Sequence, residues 1–361
     1  MTELDACIAL NMIPGMGPIR LRRLLQACGS AVQVLHASPS DLRSVEGVGF
    51  EVAAAIRRWE RTIDLAAELR RIAEHGFDVL SWDSPNYPPS LVATNDPPIV
   101  LYVRGGIEER DARGIGIVGT RKPSAYAAEC ARKLSYQLAY AGLTVVSGLA
   151  RGVDTEAHKA AIAARGRTIA VLGSGLLRMY PRENGELADR IADAGAVISE
   201  FPLTVMADRQ TFPMRNRIIA GMTFGLLVVE AGVQSGAMIT ASQAGELGRT
   251  LYAVPGRIDQ PGSVGGNQLI QQGAKLVVSA QDILDDLGLL FRETPAVQRP
   301  APSLDGEESV VYAAITNDSP GVDQIIRHTG LGAAITHATL FRLELKHLVK
   351  QLPGQRYVKT E

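Results

Sequence analysis

From Met1 to about Gly76, Leu, Ile, Val and Ala recur at three- and four-residue spacing with Arg and Glu between them, the period of helices that bury one face. Two glycine turns, Pro14-Gly15-Met16-Gly17 and Glu46-Gly47-Val48-Gly49, each lead into a helical run. After a proline-rich hinge around residues 82–98 the period changes. Short β-branched runs at Ile99–Val103, Ile115–Val118, Thr144–Val146, Ile169–Leu172, Ala196–Ser199, Leu226–Val229, Leu251–Val254 and Lys275–Val278 alternate with amphipathic stretches such as 125–141 and 154–164. Apolar strands separated by helices predict a sheet covered on both faces. The pattern therefore predicts an α/β protein with an extended Rossmann-like, doubly wound and mainly parallel sheet over residues 79–290. An all-α N-terminal domain of helix-hairpin-helix or SAM-like type is expected over 1–78, and Pro295, Pro300 and Pro302 mark a linker at 291–308. Residues 309–361 read as helices at Val310–Ile315, Val322–Thr329 and Ala333–Leu345, then a hairpin of Leu348–Leu352 and Arg356–Val358 about Pro353-Gly354. Three helices and a β-wing predict a C-terminal winged helix.

A length of 361 residues suits two or three such domains. The 37 Lys+Arg and 38 Asp+Glu leave a net charge of -1, so a polyanion must be held by a local patch rather than by global charge. Aromatics at 5% are too few for a sheet that stacks many bases. Cys7, Cys28 and Cys130 form no CxxC pair, and no His/Cys spacing suits zinc, so no metal or cofactor is expected. The first residues carry acids where a signal peptide needs a basic region, and no apolar run approaches the roughly 20 residues of a membrane span. A cytoplasmic protein without membrane contact is expected.

The candidate chemistry lies where strands end, the edge at which ligands bind in doubly wound sheets. Gly114-Ile115-Gly116-Ile117-Val118-Gly119 matches GxGxxG, but its first two glycines fall before or within the strand and no acid lies between Glu129 and Asp154. A dinucleotide site needs the glycines in the turn and an acid about 20 residues on, so NAD is not expected. The strand runs instead into Gly119-Thr120-Arg121-Lys122, a glycine turn with a hydroxyl and two cations at a helix start, which suits a phosphate. Similar turns recur: Ser147-Gly148 before Arg151, Gly173-Ser174-Gly175 before Arg178 and Arg182, and Arg209 to Arg217 around Phe212. Several cradles in a row suit a polymer with regularly spaced phosphates. Phe212 reads either as a platform for one base or as a core residue. The glycine turns of the N-terminal region could likewise offer amides to phosphate, although the balance of Arg and Glu there favours plain helix connections.

Catalytic groupings are thin. Asp154 and His158 stand at i,i+4, and read as an acid/base pair or as a capping acid beside a helix-stabilising His. Glu200 and Glu230 each end a strand and read mainly as structural carboxylates. Ser235 and Thr240 are expected as caps of the helix that follows the Gly232 turn.

The blocks VGTRKPSAY (118–126), SGLARGVDTEAH (147–158), VLGSGLLRMYPREN (171–184) and FPMRNRIIAG (212–221) together resemble the DNA-processing protein A family, DprA, also called Smf. So do residues 228–256 and 262–274. The resemblance implies single-stranded DNA binding, protection of incoming strands in natural transformation, loading of the recombinase RecA, and a homodimer formed through the Rossmann-like domain. It implies no catalysis. Carried over by position, the implied DNA-binding residues are Gly119, Thr120, Arg121, Lys122, Ser147, Gly148, Arg182, Arg209, Phe212, Arg215, Asn216 and Arg217. Arg182 stands where the family often has Lys, and Asn216 is expected to cap the helix. A nucleotide N-glycosidase of the LOG type is the alternative, with Ile239 where its catalytic Glu would belong. In the winged helix Arg327, Arg342, Lys346, Lys350, Arg356 and Lys359 face four acids, so a protein contact is as compatible as duplex reading.

Overall fold

A computed structural model of the chain describes residues 1–290, 304–316, 320–345, 348–352 and 356–359. It falls into two compact units, Met1–Phe291 and Arg292–Glu361.

The first unit opens with seven helices, α1 (Glu3–Met12), α2 (Pro18–Cys28), α3 (Ala31–His36), α4 (Pro39–Ser44), α5 (Phe50–Arg57), α6 (Trp59–Thr62) and α7 (Leu65–His75). Thr2 and Asp5 form a reciprocal capping box at the start of α1. Arg20 donates from Nε to the Gly47 carbonyl at 2.8 Å and from its terminal nitrogen to the Gly15 carbonyl, so one guanidinium staples both glycine turns together.

Nine strands come next: β1 (Asp78–Ser81), β2 (Val100–Gly105), β3 (Gly114–Val118), β4 (Thr144–Ser147), β5 (Thr168–Val171), β6 (Ala196–Ser199), β7 (Gly225–Val228), β8 (Thr250–Ala253) and β9 (Lys275–Leu276). They form one sheet in the order β1-β2-β6-β5-β4-β3-β7-β8-β9. From β6 to β9 every pairing is parallel, and β2 pairs antiparallel with both β6 and β1. The expected parallel pattern holds for the centre, whereas the strand expected at 99–103 lies on an antiparallel margin. It pairs antiparallel with β1 as well, a strand that lies just ahead of the expected hinge. The helices over the sheet are α8 (Pro89–Val92), α9 (Ala125–Tyr140), α10 (Val153–Ala163), α11 (Gly185–Ala194), α12 (Thr211–Met222), α13 (Gly236–Glu246), α14 (Val264–Gln271) and α15 (Gln281–Leu290). Strands β3 to β7 are buried along their whole length, as a sheet covered on both faces requires.

Strand order reverses at β3. The chain steps outward through β4, β5 and β6, then returns to the other side of β3 with β7, which opens a crevice between the carboxyl ends of β3 and β7.

The boundary expected at residue 78 does not separate two cores. Leu10, Leu21, Leu24, Leu35, Leu42 and Ile56 of the helical segment belong to one buried cluster with Tyr102, Leu149, Leu172, Leu176 and Leu203. Polar ties cross the same contact: Asn11 Nδ2 donates to the Glu200 carbonyl at 2.9 Å, and the Leu203 amide donates to buried Glu68 at 2.7 Å.

The second unit contains α16 (Gly306–Ala314), α17 (Val322–Thr329), α18 (Ala333–Leu345) and the antiparallel pair β10 (Val349–Leu352) and β11 (Arg356–Lys359) around Val311, Ile315, Ile325, Leu340 and Leu343. This is a winged helix. Its first helix starts at Gly306 rather than 310, because Asp305 accepts the Glu308 amide at 2.8 Å while Glu308 accepts the Asp305 amide at 3.1 Å. The linker expected at 291–308 is thus helical at its end, and its residues 291–303 lie outside the described residues, as do Lys346 and Pro353-Gly354.

Candidate nucleic-acid interface

At the end of β3 the Gly119-Thr120 turn is held from two sides. Thr120 donates its amide to the Glu230 carbonyl at 2.7 Å, and the Val153 amide donates to the Thr120 carbonyl at 3.2 Å. The Ser124 amide donates to Glu230 Oε2 at 2.8 Å, and Ser124 caps α9 through the Ala127 amide. Glu230 is therefore a brace for the turn. Arg121 and Lys122 project from it into solvent.

Arg121 stacks on Phe212, its guanidinium carbon 5.1 Å from the ring centroid. Tyr180 meets the same ring at 5.9 Å with a 49° tilt. A Cβ at Gly173 would stand 2.9 Å from Phe212 Cδ1, so this glycine lets the ring approach the end of β5. Phe212 is partly exposed and thus neither a full core residue nor an open platform. Arg182, two residues beyond Tyr180, and Arg209, three before Phe212, are exposed and enter no ion pair among the described residues. The turn after β3, the segment after β5 and the start of α12 thereby meet at Arg121, Tyr180 and Phe212, with the exposed cations Lys122, Arg182 and Arg209 within three residues of them in sequence.

The remaining expected contacts are tied up inside. Arg215 is buried and donates to the Val171 carbonyl at 2.6 Å, to the Gly148 carbonyl, and to Asn216 Oδ1 at 3.1 Å. Burial lowers its pKa to about 10, with Asp154 opposing, so it is charged at neutral pH. Gly148 has no room for a side chain because Arg215 occupies that space, and its amide donates to Asp154 at 3.1 Å. Ser147 is fully buried and donates to the Ile117 carbonyl at 2.6 Å. Asn216 does not cap α12 but lies within it, donating to the Gly236 carbonyl at 3.4 Å. Arg217 bridges the Asp96 carboxylate at 3.2 Å and Glu200. Ser147, Gly148 and Arg217 therefore build the rim, while Arg215 and Asn216, though buried, line the crevice behind it. Only their distant partners distinguish them from the exposed cations.

The acid/base pair is not assembled. Asp154 accepts the Gly148 and Ala150 amides, and burial raises its pKa against the pull of Arg215. His158 Nδ1 instead meets Thr168 Oγ1 at 2.7 Å, and Thr168 Oγ1 donates to the Val145 carbonyl, so Nδ1 carries the proton. Burial pushes His158 down to about 3. Glu200 is buried against Arg217, and burial raises it to about 7 despite that cation. Among the described residues no cluster of His, Cys, Asp or Glu could hold a metal, and no helix is long and apolar enough to cross a membrane.

The crevice at the switch point is a cavity of about 260 Å³ lined by Thr120, Arg121, Phe212, Asn216, Ser235 and Thr240, among others. Ser235 holds the N-cap position of α13 without a capping bond, and its buried Oγ has no hydrogen-bond partner among the described residues. Thr240 is no cap either: it lies inside α13 and donates to the Gly236 carbonyl at 3.2 Å. Glycine and hydroxyl residues in a strand-to-helix turn are the sequence signal for this crevice.

Fold and rim define a doubly wound α/β protein whose ligand edge carries cations and an aromatic in place of a dinucleotide fingerprint. The profile of DNA recombination-mediator protein A matches residues 78–288, and that of the DprA winged helix domain matches 294–355. The chain belongs to the DprA/Smf family. It is 33% identical to Protein Smf of Synechocystis sp. over 97% of both chains, and 44% identical to DNA processing protein DprA of Bacillus subtilis over 59% of this chain and 72% of that one. Among solved structures it is similar to DprA of Streptococcus pneumoniae, with a TM-score of 0.69 and 34% identity over 79% of this chain and 98% of that one. DprA of Helicobacter pylori, described for its single-stranded DNA binding mode, has a TM-score of 0.53 and 28% identity over 60% and 97%.

Proposed function

We propose that this chain is a cytoplasmic, non-catalytic mediator that binds single-stranded DNA along the carboxyl rim of its sheet, protects incoming strands in natural transformation and loads RecA onto them. A homodimer formed through the Rossmann-like domain is part of the same reading. The observation that carries it is the stack of Arg121 on Phe212 beside Tyr180, with the exposed cations Lys122, Arg182 and Arg209 close to these residues in sequence. Guanidinium forks hold phosphates, and a partly exposed ring between them takes one unpaired base. The H. pylori DprA, a relative whose structure is described for single-stranded DNA binding, supports the ligand class.

Binding governed by phosphates falls with salt, by about 0.7 in log K per log salt for each phosphate neutralised on a single strand. The test is the affinity of the full chain for dT oligomers at several salt concentrations, with random duplex as competitor. A shallow salt slope, or duplex competing as well as dT, refutes the reading. RecA loading is checked by filament assembly on strands precoated with single-strand-binding protein.

A further inference from the structure

We infer that a groove on the N-terminal helices, centred on Phe50, is a second contact for the same single strand, taking one base on the ring and phosphates on Arg43, Arg57 and Arg58. Phe50 is 74% exposed, unusual for a large aromatic side chain. Phe50, Ala53, Ala54 and Arg57 recur at i, i+3, i+4 and i+7, so they share one face of α5, and Arg58 caps its C-terminus. Pro39 and Arg43 of α4 close the other wall of a groove of about 420 Å³.

The charge of the groove selects its occupant. Among the described residues three guanidiniums line it and no carboxylate does. Glu46, the acid before the turn, pairs with Arg23 at 3.4 Å, and Asp41 accepts from Ser38 at 2.7 Å. Arg43 and Arg58 donate through Nε to the Pro39 and Ala54 carbonyls, each at 3.2 Å, which orients the forks while leaving their terminal nitrogens for another acceptor. A flat apolar ring among carboxylate-free cations fits an unpaired base with its flanking phosphates. An acidic peptide would satisfy the cations and leave the ring unused. The helical segment shares its core with the loops after β4, β5 and β6, so groove and rim belong to one compact unit.

This inference rests on the proposed single-strand binding at the rim, and the experiment separates the two. Full-length wild type, Phe50→Ala, Arg57→Ala/Arg58→Ala, Phe50→Trp and Arg121→Ala are titrated with dT oligomers of about six nucleotides, which engage one site, and several times longer. Loss of one stacked base is expected to weaken the long oligomer about five- to tenfold in Phe50→Ala. The arginine pair should lower the salt slope by about 1.4, and both variants should bind the short oligomer as wild type does. Phe50→Trp should retain affinity, with its added fluorescence quenched by long dT. Long-oligomer affinity and salt slope unchanged in both groove variants, or quenching reversed by polyglutamate, overturns the groove while the rim stands. Wild type that fails to bind either oligomer overturns the rim reading itself.

Discussion

Arg121, in the turn after β3, and Phe212, in the first turn of α12, meet with guanidinium over ring at 5.1 Å, so the residue best placed to hold a phosphate rests on the ring best placed to stack a base. An exposed cation–π contact is worth about 0.5–1 kcal/mol. Arg121→Ala should therefore leave thermal stability nearly unchanged while cutting dT affinity at least tenfold. Arg121→Lys should fall between, since the charge remains and the planar fork is lost. Equal affinities in filter binding at moderate salt would remove Arg121 from the interface.

Arg215 and Arg209, six positions apart, should behave oppositely. Removing the buried Arg215 leaves Asp154 uncompensated and two carbonyls without their donor, at about 3–5 kcal/mol. Arg215→Ala should be unstable in urea titration. Arg209→Ala should unfold with the wild type, within about 0.5 kcal/mol, and lose DNA affinity. The reverse pattern would overturn this division.

Gly173 tests the ring. A methyl there meets Phe212 Cδ1 at 2.9 Å, so Gly173→Ala should push the ring from its place beside Tyr180. The expected result is weaker dT binding with a stability loss of about 1–3 kcal/mol, typical of overpacking. Unchanged binding despite that loss would make Phe212 a packing residue.

Two buried groups give stability opposing pH slopes. The unfolded chain protonates His158 near 6.5, whereas the native state resists until about 3. Its contribution is therefore full above 6.5 and lost as pH falls toward 3. Glu200 holds its proton to about 7 when native and 4.5 when unfolded, so its contribution is full below 4.5 and lost as pH rises to 7. Urea unfolding across pH 4 to 8 should show the acid limb flattened in His158→Gln and the rising-pH loss flattened in Glu200→Gln. Slopes identical to wild type would show that neither group titrates as described.

Eight of the nine strands are legible in the sequence because each is a short apolar run bounded by turn residues. β1 is not: it is four residues long, runs from exposed Asp78 to buried Ser81, and abuts the hinge. The rim is legible as a set of glycine turns carrying arginines. Which arginines face solvent is not, since Arg209, Arg215 and Arg217 share one composition. Their fates are set by partners remote in sequence, Asp154 with the carbonyls of residues 148 and 171, and Glu200 with Asp96. Ser147 misleads in the same way, because its hydroxyl turns inward to the neighbouring strand. D-x-x-E at Asp305 marks the true start of α16, a signal that the expected start at Val310 passed over.

Leu149, Leu172, Leu176 and Leu203 lie in the very turns that carry the rim, and their greasy sides are roofed by the opening seven helices. A shortened protein starting at Asp78 would leave those leucines wet and let the arginine-bearing turns drift. Poor DNA capture by such a fragment would then report a slackened scaffold as well as the lost Phe50 groove, so deleting the helices does not separate the two, whereas point changes at Phe50 or Arg57 do.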